Sequence, residues 1–266
     1  MDLKTKSNIF QKIFAENWNE YFIFDTINSN NLTYKNFFEL VINIKKNLEK
    51  RKVKEDDYLC LILNNSIELI ALFFAAALLK ITLICIDPSR GSDEILKMST
   101  IQKSKFYLID DKYQNFDIPE TEIFSNIFQK NSNLNISTSD LDLFNDLNYE
   151  RLFTITFTSG STGIPKGVMH NLNNYLKSSL LFNKRFNFSK NNIFYHNLPL
   201  SYIGGILNLL FLPFFSKSKI VLDEQFEFLE STVKESIEEN LINLTFDIDE
   251  SEKFYVEKIN ILGNNI

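Results

Sequence analysis

"DYLCLILNNSIELIALFFAAALLKITLICIDP", residues 57–88, joins two apolar runs of unlike character through a short polar break. The first run, "LCLIL", is brief and aliphatic and ends at Asn64-Asn65, which reads as a strand entering a turn. The second runs through Leu, Ala and Phe to Leu79, longer than a strand and suited to a buried helix. Asn65 is placed to cap that helix, with Glu68 three residues on as in a capping box. Beyond Lys80 the composition turns to Ile and Thr, and Asp87-Pro88 stops a second strand. Strand, helix and strand of these lengths imply parallel pairing with the helix as crossover. Residues 69–86 approach the length of a membrane span, but Lys80 at the middle and the change beside it predict a buried helix and strand instead.

The alternation continues outward. "LTYKNFFELVINIKKNLEKR" spaces its apolar residues at helical intervals behind Thr33, a good cap. A helix over 92–102 leads to the strand "KFYLIDD", and residues 112–148 read as an irregular connector. "RLFTITF" is a strand, "GVMH" a short return strand, and residues 171–183 a helix. "IFYHNLP", a helix over 203–215 and "KIVLD" repeat the pattern. The fold class expected is α/β, with mainly parallel sheets and flanking helices. Residues 223–266 hold twelve Asp/Glu against three Lys, a net −9, so that residues 1–222 carry +3. They are expected to form an acidic, partly helical tail, the helix lying in "FLESTVKESIEENLI", behind a domain of residues 1–222.

Bulk properties exclude several classes. The 266 residues are 44% hydrophobic and 23% charged, a globular composition, and the net charge of −6 argues against a nucleic-acid binder. Cys60 and Cys85 sit in apolar runs and read as buried reduced thiols, which fits a cytoplasmic setting. With two histidines, His170 and His196, and no Cys/His cluster, no metal site is expected. "MDLKTKSNIFQKIF" has no signal-peptide core.

One stretch is not scaffold. "FTSGSTGIPKG", residues 157–167, sets Thr158, Ser159, Ser161 and Thr162 around Gly160 and Gly163, then adds Lys166 after a proline. The glycines allow positive φ and close backbone approach, the hydroxyls donate, and Lys166 brings charge. Together they make a cradle for phosphate oxygens. A Walker loop needs glycine directly before Lys-Ser/Thr, and a hydrolase elbow needs glycine two residues either side of the serine. Neither spacing is met.

This loop resembles the signature of the AMP-forming adenylating enzymes, the superfamily of acyl- and aryl-CoA synthetases, peptide-synthetase adenylation domains and luciferases. "LTYKNFFELVINIKKNL", residues 57–88 and "LPLSYIGGI" (198–206) are similar to segments of the same family, so the likeness runs over about residues 8–225. The resemblance implies ATP and Mg²⁺ as cofactors, a carboxylate and the thiol of CoA or a carrier protein as further partners, and an acyl-adenylate intermediate. It implies that Thr158 to Gly163 wrap the β/γ-phosphates, that Lys166 offsets their charge, and that Tyr202, Gly204 and Gly205 border the acyl pocket. No single catalytic residue is assigned.

Three departures stand out. Tyr202 occupies a place where acyl-CoA synthetases often carry His. Lys80-Ile81 replaces a glycine-bearing turn, with Lys80 snorkelling to solvent. The family's Tyr-Gly-x-Thr-Glu segment, ribose-holding Asp and C-terminal lysine are not found after Asp223. The resemblance therefore implies a truncated or split acyl-CoA ligase, inactive alone. The alternatives are a non-catalytic polyphosphate-binding remnant and an amino-acid adenylation subunit working with a second chain. His170 lies near the loop and is read as nucleotide-facing or structural, and His196 as structural. Asp56-Asp57 and Asp110-Asp111 are read as turn residues.

Overall fold

The computed structural model describes residues 9–26, 29–110, 121–127, 136–158, 165–222, 230–238 and 241–249. The chain opens with α1 (Ile9–Glu16), β1 (Tyr21–Asp25), β2 (Asn30–Thr33) and α2 (Tyr34–Lys50). Thr33 caps α2 as expected, its hydroxyl accepting the Asn36 N–H at 3.2 Å. The segment 57–88 then folds as read, giving β3 (Tyr58–Ile62), α3 (Ile67–Leu79) and β4 (Thr82–Ile86), with the two strands parallel. Among the described residues no helix is long and apolar enough to cross a membrane. The cap of α3 is Ser66 rather than Asn65, and Ser66 Oγ accepts the Leu69 N–H at 3.0 Å. Both residues can cap. The one-residue shift frees Asn65 for a longer reach described below.

At its other end α3 closes on Lys80, whose φ of 55° and ψ of 42° are left-handed. That conformation is the one glycine adopts at helix ends without cost, so Lys80 fills the glycine's place in backbone as well as in sequence. Its ammonium reaches Asp146 at 2.6 Å, an exposed carboxylate, as snorkelling requires.

The middle of the chain supplies α4 (Ser92–Ser99), β5 (Phe106–Ile109), β6 (Thr121–Ile123), two 3₁₀ segments (Phe124–Ile127 and Thr138–Asp146) and β7 (Leu152–Thr158). After it come β8 (Lys166–Asn171), α5 (Leu172–Phe186), β9 (Ile193–His196), α6 (Ile203–Ile206), a π-helical turn (Leu207–Phe211), α7 (Leu212–Ser216) and β10 (Lys219–Leu222). The π turn precedes Pro213, which has no N–H to return to the preceding turn, a common cause of such a break in helical register.

Six strands form one sheet in the order β6-β5-β3-β4-β7-β8, all parallel except β8, which returns antiparallel to β7. Right-handed crossovers fix the helices' sides. The step from β3 to β4 and the reversed step from β4 to β5 put α3 and α4 on opposite faces. Alternation along β3 shows this directly. Leu59 and Leu61 join a cluster with α3, whereas Cys60 and Ile62 join another with Ile95 and Met98 of α4. Cys85 of β4 lies in the first cluster, so the two buried, unbonded thiols sit in clusters on opposite faces of one sheet.

A second sheet, ordered β2-β1-β10-β9, shares the first cluster. Between the sheets lies a helical layer rich in phenylalanine. Phe22 of β1 meets Phe37 of α2 at 5.2 Å, Phe37 meets Phe74 of α3 at 5.0 Å, and Phe73 of α3 meets Phe153 of β7 at 6.2 Å. Helix α3 is apolar nearly all round because it is buried nearly all round. The expected α/β class, mainly parallel with flanking helices, is what the structure has.

The described residues after Leu222, 230–238 and 241–249, belong to a second unit. In it β11 (Glu230–Glu238) pairs antiparallel with β12 (Leu241–Asp249), with Glu238 opposite Leu241. This corrects the helix expected over "FLESTVKESIEENLI". Val233 and Ile237 are four apart, a spacing that a helix would also accommodate. The deciding pattern is the strict alternation Ile242, Leu244, Phe246, Ile248 in the next segment, which marks a strand and needs a partner.

Candidate active site

Parallel sheets bind ligands outside the carboxyl ends of their strands, and the chemistry-bearing residues of this chain gather there. At the carboxyl end of β7, Thr158 is exposed and stands opposite Lys166, the exposed first residue of β8. The two form the open mouth of the β7–β8 pair, and the sequence between them includes Ser159, Gly160, Ser161, Thr162 and Gly163. Those five expected phosphate ligands lie outside the described residues. Gly167 lets β8 run close to β7, since a Cβ there would lie 3.0 Å from Ile155 Cγ2. The hairpin is fastened from behind, where Thr154 Oγ1 and the Tyr175 hydroxyl of α5 share a hydrogen bond of 2.6 Å.

His170 is not at the loop. It lies at the opposite end of β8 from Lys166, paired with Thr154, its ring 5.8 Å from that of Tyr175. Its Nε2 is buried without a hydrogen-bond partner among the described residues, and burial lowers its pKa.

The neighbouring strand ends are polar turns. Asp110, after β5, accepts from the Asn64 backbone N–H at 2.8 Å and from Asn64 Nδ2 at 2.6 Å. That is the structural role read for it. Asp87, after β4, accepts from Ser89 N–H at 2.9 Å.

Asn65 links the carboxyl edges of the two sheets. Its Nδ2 donates to the Leu198 carbonyl at 2.9 Å, its Oδ1 accepts the Leu200 N–H at 2.9 Å, and Nδ2 lies 3.4 Å from His196 Nδ1. These contacts carry the segment after β9 over to the end of β3. Tyr202 follows, half exposed, at the cap position of α6. A Cβ on Gly204 would lie 2.7 Å from the Tyr202 ring, and one on Gly205 would lie 2.2 Å from the Pro199 carbonyl oxygen. The structure thus brings Tyr202, Gly204 and Gly205 together around one tight turn. Sequence reasoning missed Asn65 and His196 as parts of this join. The available signal was a polar residue ending each of two apolar strands on the side where ligands bind.

Among the described residues no three His, Cys, Asp or Glu side chains gather into a metal site.

Comparison with known proteins agrees with this arrangement. The sequence model of the AMP-binding enzyme family matches residues 14–246, and the chain belongs to that family. The match includes β11 and most of β12, further than the 8–225 read from motifs. Over 158 residues the chain is 26% identical to 2-succinylbenzoate–CoA ligase of Haemophilus influenzae, covering 59% of this chain and 30% of that one. Over 66 residues it is 35% identical to malonate–CoA ligase of Arabidopsis thaliana, 25% of this chain and 11% of the relative. In fold it is similar to O-succinylbenzoate coenzyme A synthetase from Bacillus subtilis, solved in complex with ATP and magnesium. There the TM-score is 0.69 at 18% identity, over 81% of this chain and 57% of that one. The chain spans about a third or less of these two curated relatives and somewhat over half of the solved one.

Proposed function

We propose that this chain carries the ATP phosphate site and one wall of the acyl site of an AMP-forming carboxylate–CoA ligase. The observation that carries the reading is the pairing of Thr158 with Lys166 at the mouth of the β7–β8 hairpin, on the carboxyl edge of a parallel sheet. The loop's hydroxyls and backbone N–H groups would hold the β- and γ-phosphates with their Mg²⁺, and Lys166 would offset their charge. In the reaction a carboxylate oxygen bonds to the α-phosphorus as the bridge to the β-phosphate breaks, and pyrophosphate leaves. A thiol sulfur then bonds to the acyl carbon as the bond from that carbon to the AMP oxygen breaks, and AMP leaves. The protein's part in such chemistry is alignment and charge neutralisation. Tyr202 and the Gly204-Gly205 turn would bound the acyl group. The relatives' names, 2-succinylbenzoate–CoA ligase and malonate–CoA ligase, support reading this chain's substrate as a carboxylic acid activated as a CoA thioester.

On this reading the 266 residues taken alone bind nucleotide without turning it over, because they hold no Tyr-Gly-x-Thr-Glu segment to fix the adenine. Titration with ATP, pyrophosphate and AMP tests the proposal. ATP and pyrophosphate should bind more tightly than AMP, and Lys166→Ala should weaken both by roughly ten- to a hundredfold, the worth of one charge-assisted contact. Equal affinity for AMP and ATP, or an unaffected variant, refutes the phosphate site. Carboxylate-dependent ATP–pyrophosphate exchange by the pure 266-residue chain refutes only the claim that it needs a further segment.

A further inference from the structure

The β7–β8 ladder contains one irregularity. Leu152 stands opposite Asn171, but the next pair is Thr154 with His170, so β7 uses two residues where β8 uses one. Side chains show the same bulge. Leu152 and Ile155 pack into the cluster with Ile95 and Met98 of α4. Phe153 and Thr154, between them, both turn to the other face, where both meet Tyr175 of α5.

Tyr175 is buried, its ring 6.1 Å from that of Phe153 and 5.0 Å from that of Phe211. Its hydroxyl meets Thr154 Oγ1 at 2.6 Å, and Thr154 is buried as well. A buried hydroxyl without a partner is costly, so each of the two residues specifies the other. On its far side β7 is held by β4, with Leu83 beside Thr154 and Cys85 beside Thr156. The edge strand β8 is therefore the one that could slip.

The bulge decides what stands at the mouth of the pair. From Thr154 the ladder runs through Thr156 with Val168 to Thr158 with Lys166. Without the extra residue it would run from Leu152 with Asn171 through Thr156 with Gly167 to Phe157 with Lys166. Side chains alternate along a strand, and Phe157 belongs to the α4 cluster. A slip of one residue would thus carry Lys166 to the α4 face, away from Thr158.

We propose that Tyr175 is a positioning residue for the phosphate site: by holding Thr154 at the bulge, it keeps β8 in the register that sets Lys166 beside Thr158. The inference rests on the reading of the β7–β8 mouth as the place where the β- and γ-phosphates bind. Tyr175 acts through the backbone of the two strands, its contact at Thr154 lying four pairs from Lys166.

Pyrophosphate titration, urea unfolding and cross-strand NOEs test this together. Tyr175→Phe should weaken pyrophosphate binding by roughly three- to tenfold, a part of what Lys166→Ala loses, since the charge is displaced and not removed. Thr154→Val combined with Tyr175→Phe replaces both hydroxyls by apolar groups. Its urea midpoint should return close to that of the wild-type chain while its pyrophosphate affinity stays reduced. Thr154→Ser keeps a hydroxyl and should keep the affinity. Added to Lys166→Ala, Tyr175→Phe should weaken binding little further, because both changes act on one contact. In the Tyr175→Phe chain the NOEs of Thr156 should pass in part from Val168 to Gly167. Unchanged affinity in Tyr175→Phe and the paired variant overturns the inference, as does affinity that recovers with stability in the paired variant. A loss that adds in full to that of Lys166→Ala, or NOEs that stay wholly with Val168, also overturns it. If Lys166→Ala binds pyrophosphate as well as the wild-type chain, the phosphate reading falls, and the NOEs alone then decide whether Tyr175 sets the register.

Discussion

The layer between the two sheets and the carboxyl edges of those sheets are built from different materials. Among the described residues Phe74 in the middle layer has five aromatic neighbours, Phe214 and Phe37 being the nearest at 4.9 and 5.0 Å. At the edges, Asn65 holds its segment with two good hydrogen bonds and one long contact. Ring packing is dense and non-directional, and each lost ring leaves a hole. A few directional contacts cost less to break and can be remade around a ligand. The difference teaches why the site belongs at the edge, where opening disturbs the least buried area.

The sharpest way to break this contrast is Phe74→Ala. It should lower stability by about 3–5 kcal/mol, seen as a fall in the denaturant midpoint. A loss below about 1 kcal/mol would mean that the middle layer yields as easily as the edge.

Acid attacks the edge instead. His196 binds a proton in the folded chain only near pH 4, whereas the unfolded side chain does so near its ordinary 6.5. Because the folded pKa is lowered, this contribution is fully present above pH 6.5 and is lost as pH falls from 6.5 to 4. It amounts to at most about 3 kcal/mol. Burial of His170 acts in the same direction. Urea unfolding at pH 7, 5.5 and 4.5 should show His196→Gln with a distinctly shallower dependence than the wild-type chain.

Two neighbouring glycines sharpen the comparison further. Gly205→Ala drives a Cβ against the Pro199 backbone carbonyl, which cannot swing aside, and should cost about 1–3 kcal/mol. Gly204→Ala meets side chains rather than backbone, the edge of the half-exposed Tyr202 ring and Leu198 Cδ1 at 3.3 Å, which can shift, and should cost less. Thermal melts of the two variants side by side check the order. The smallest effect is expected at Lys80→Gly, which relieves the left-handed backbone. It surrenders only an ion pair to Asp146, whose side chain is 86% exposed. A gain below about 1 kcal/mol follows, measurable by the same melts.

Most of the parallel architecture could be read from residues 57–88 because buried strands and a buried helix differ in length and composition even without alternation. Three local choices could not. Asn65 and Ser66 are both good caps, and only the far contacts to Leu198 and Leu200 decide between them. Residues 230–238 carry apolar side chains at a spacing that suits a helix, and it is their partner strand that makes them a strand. For His196 the sequence shows an apolar strand ending in a polar residue, but the contact that joins it to the other sheet is made by an amide 131 positions away. The loop itself was legible as a motif because its glycines, hydroxyls and lysine are local in sequence.

The two thiols give the chain a pair of internal clocks. Burial pushes both Cys60 and Cys85 far above the usual thiol range, so neither reacts while the sheet is closed. Cys60 lies under α4 and Cys85 under the central helices. Under pulsed alkylation the time at which each sulfur is trapped dates the opening of its own side of the sheet. A single gel-shift or mass measurement can thus tell whether the α4 side peels away before the phenylalanine layer parts.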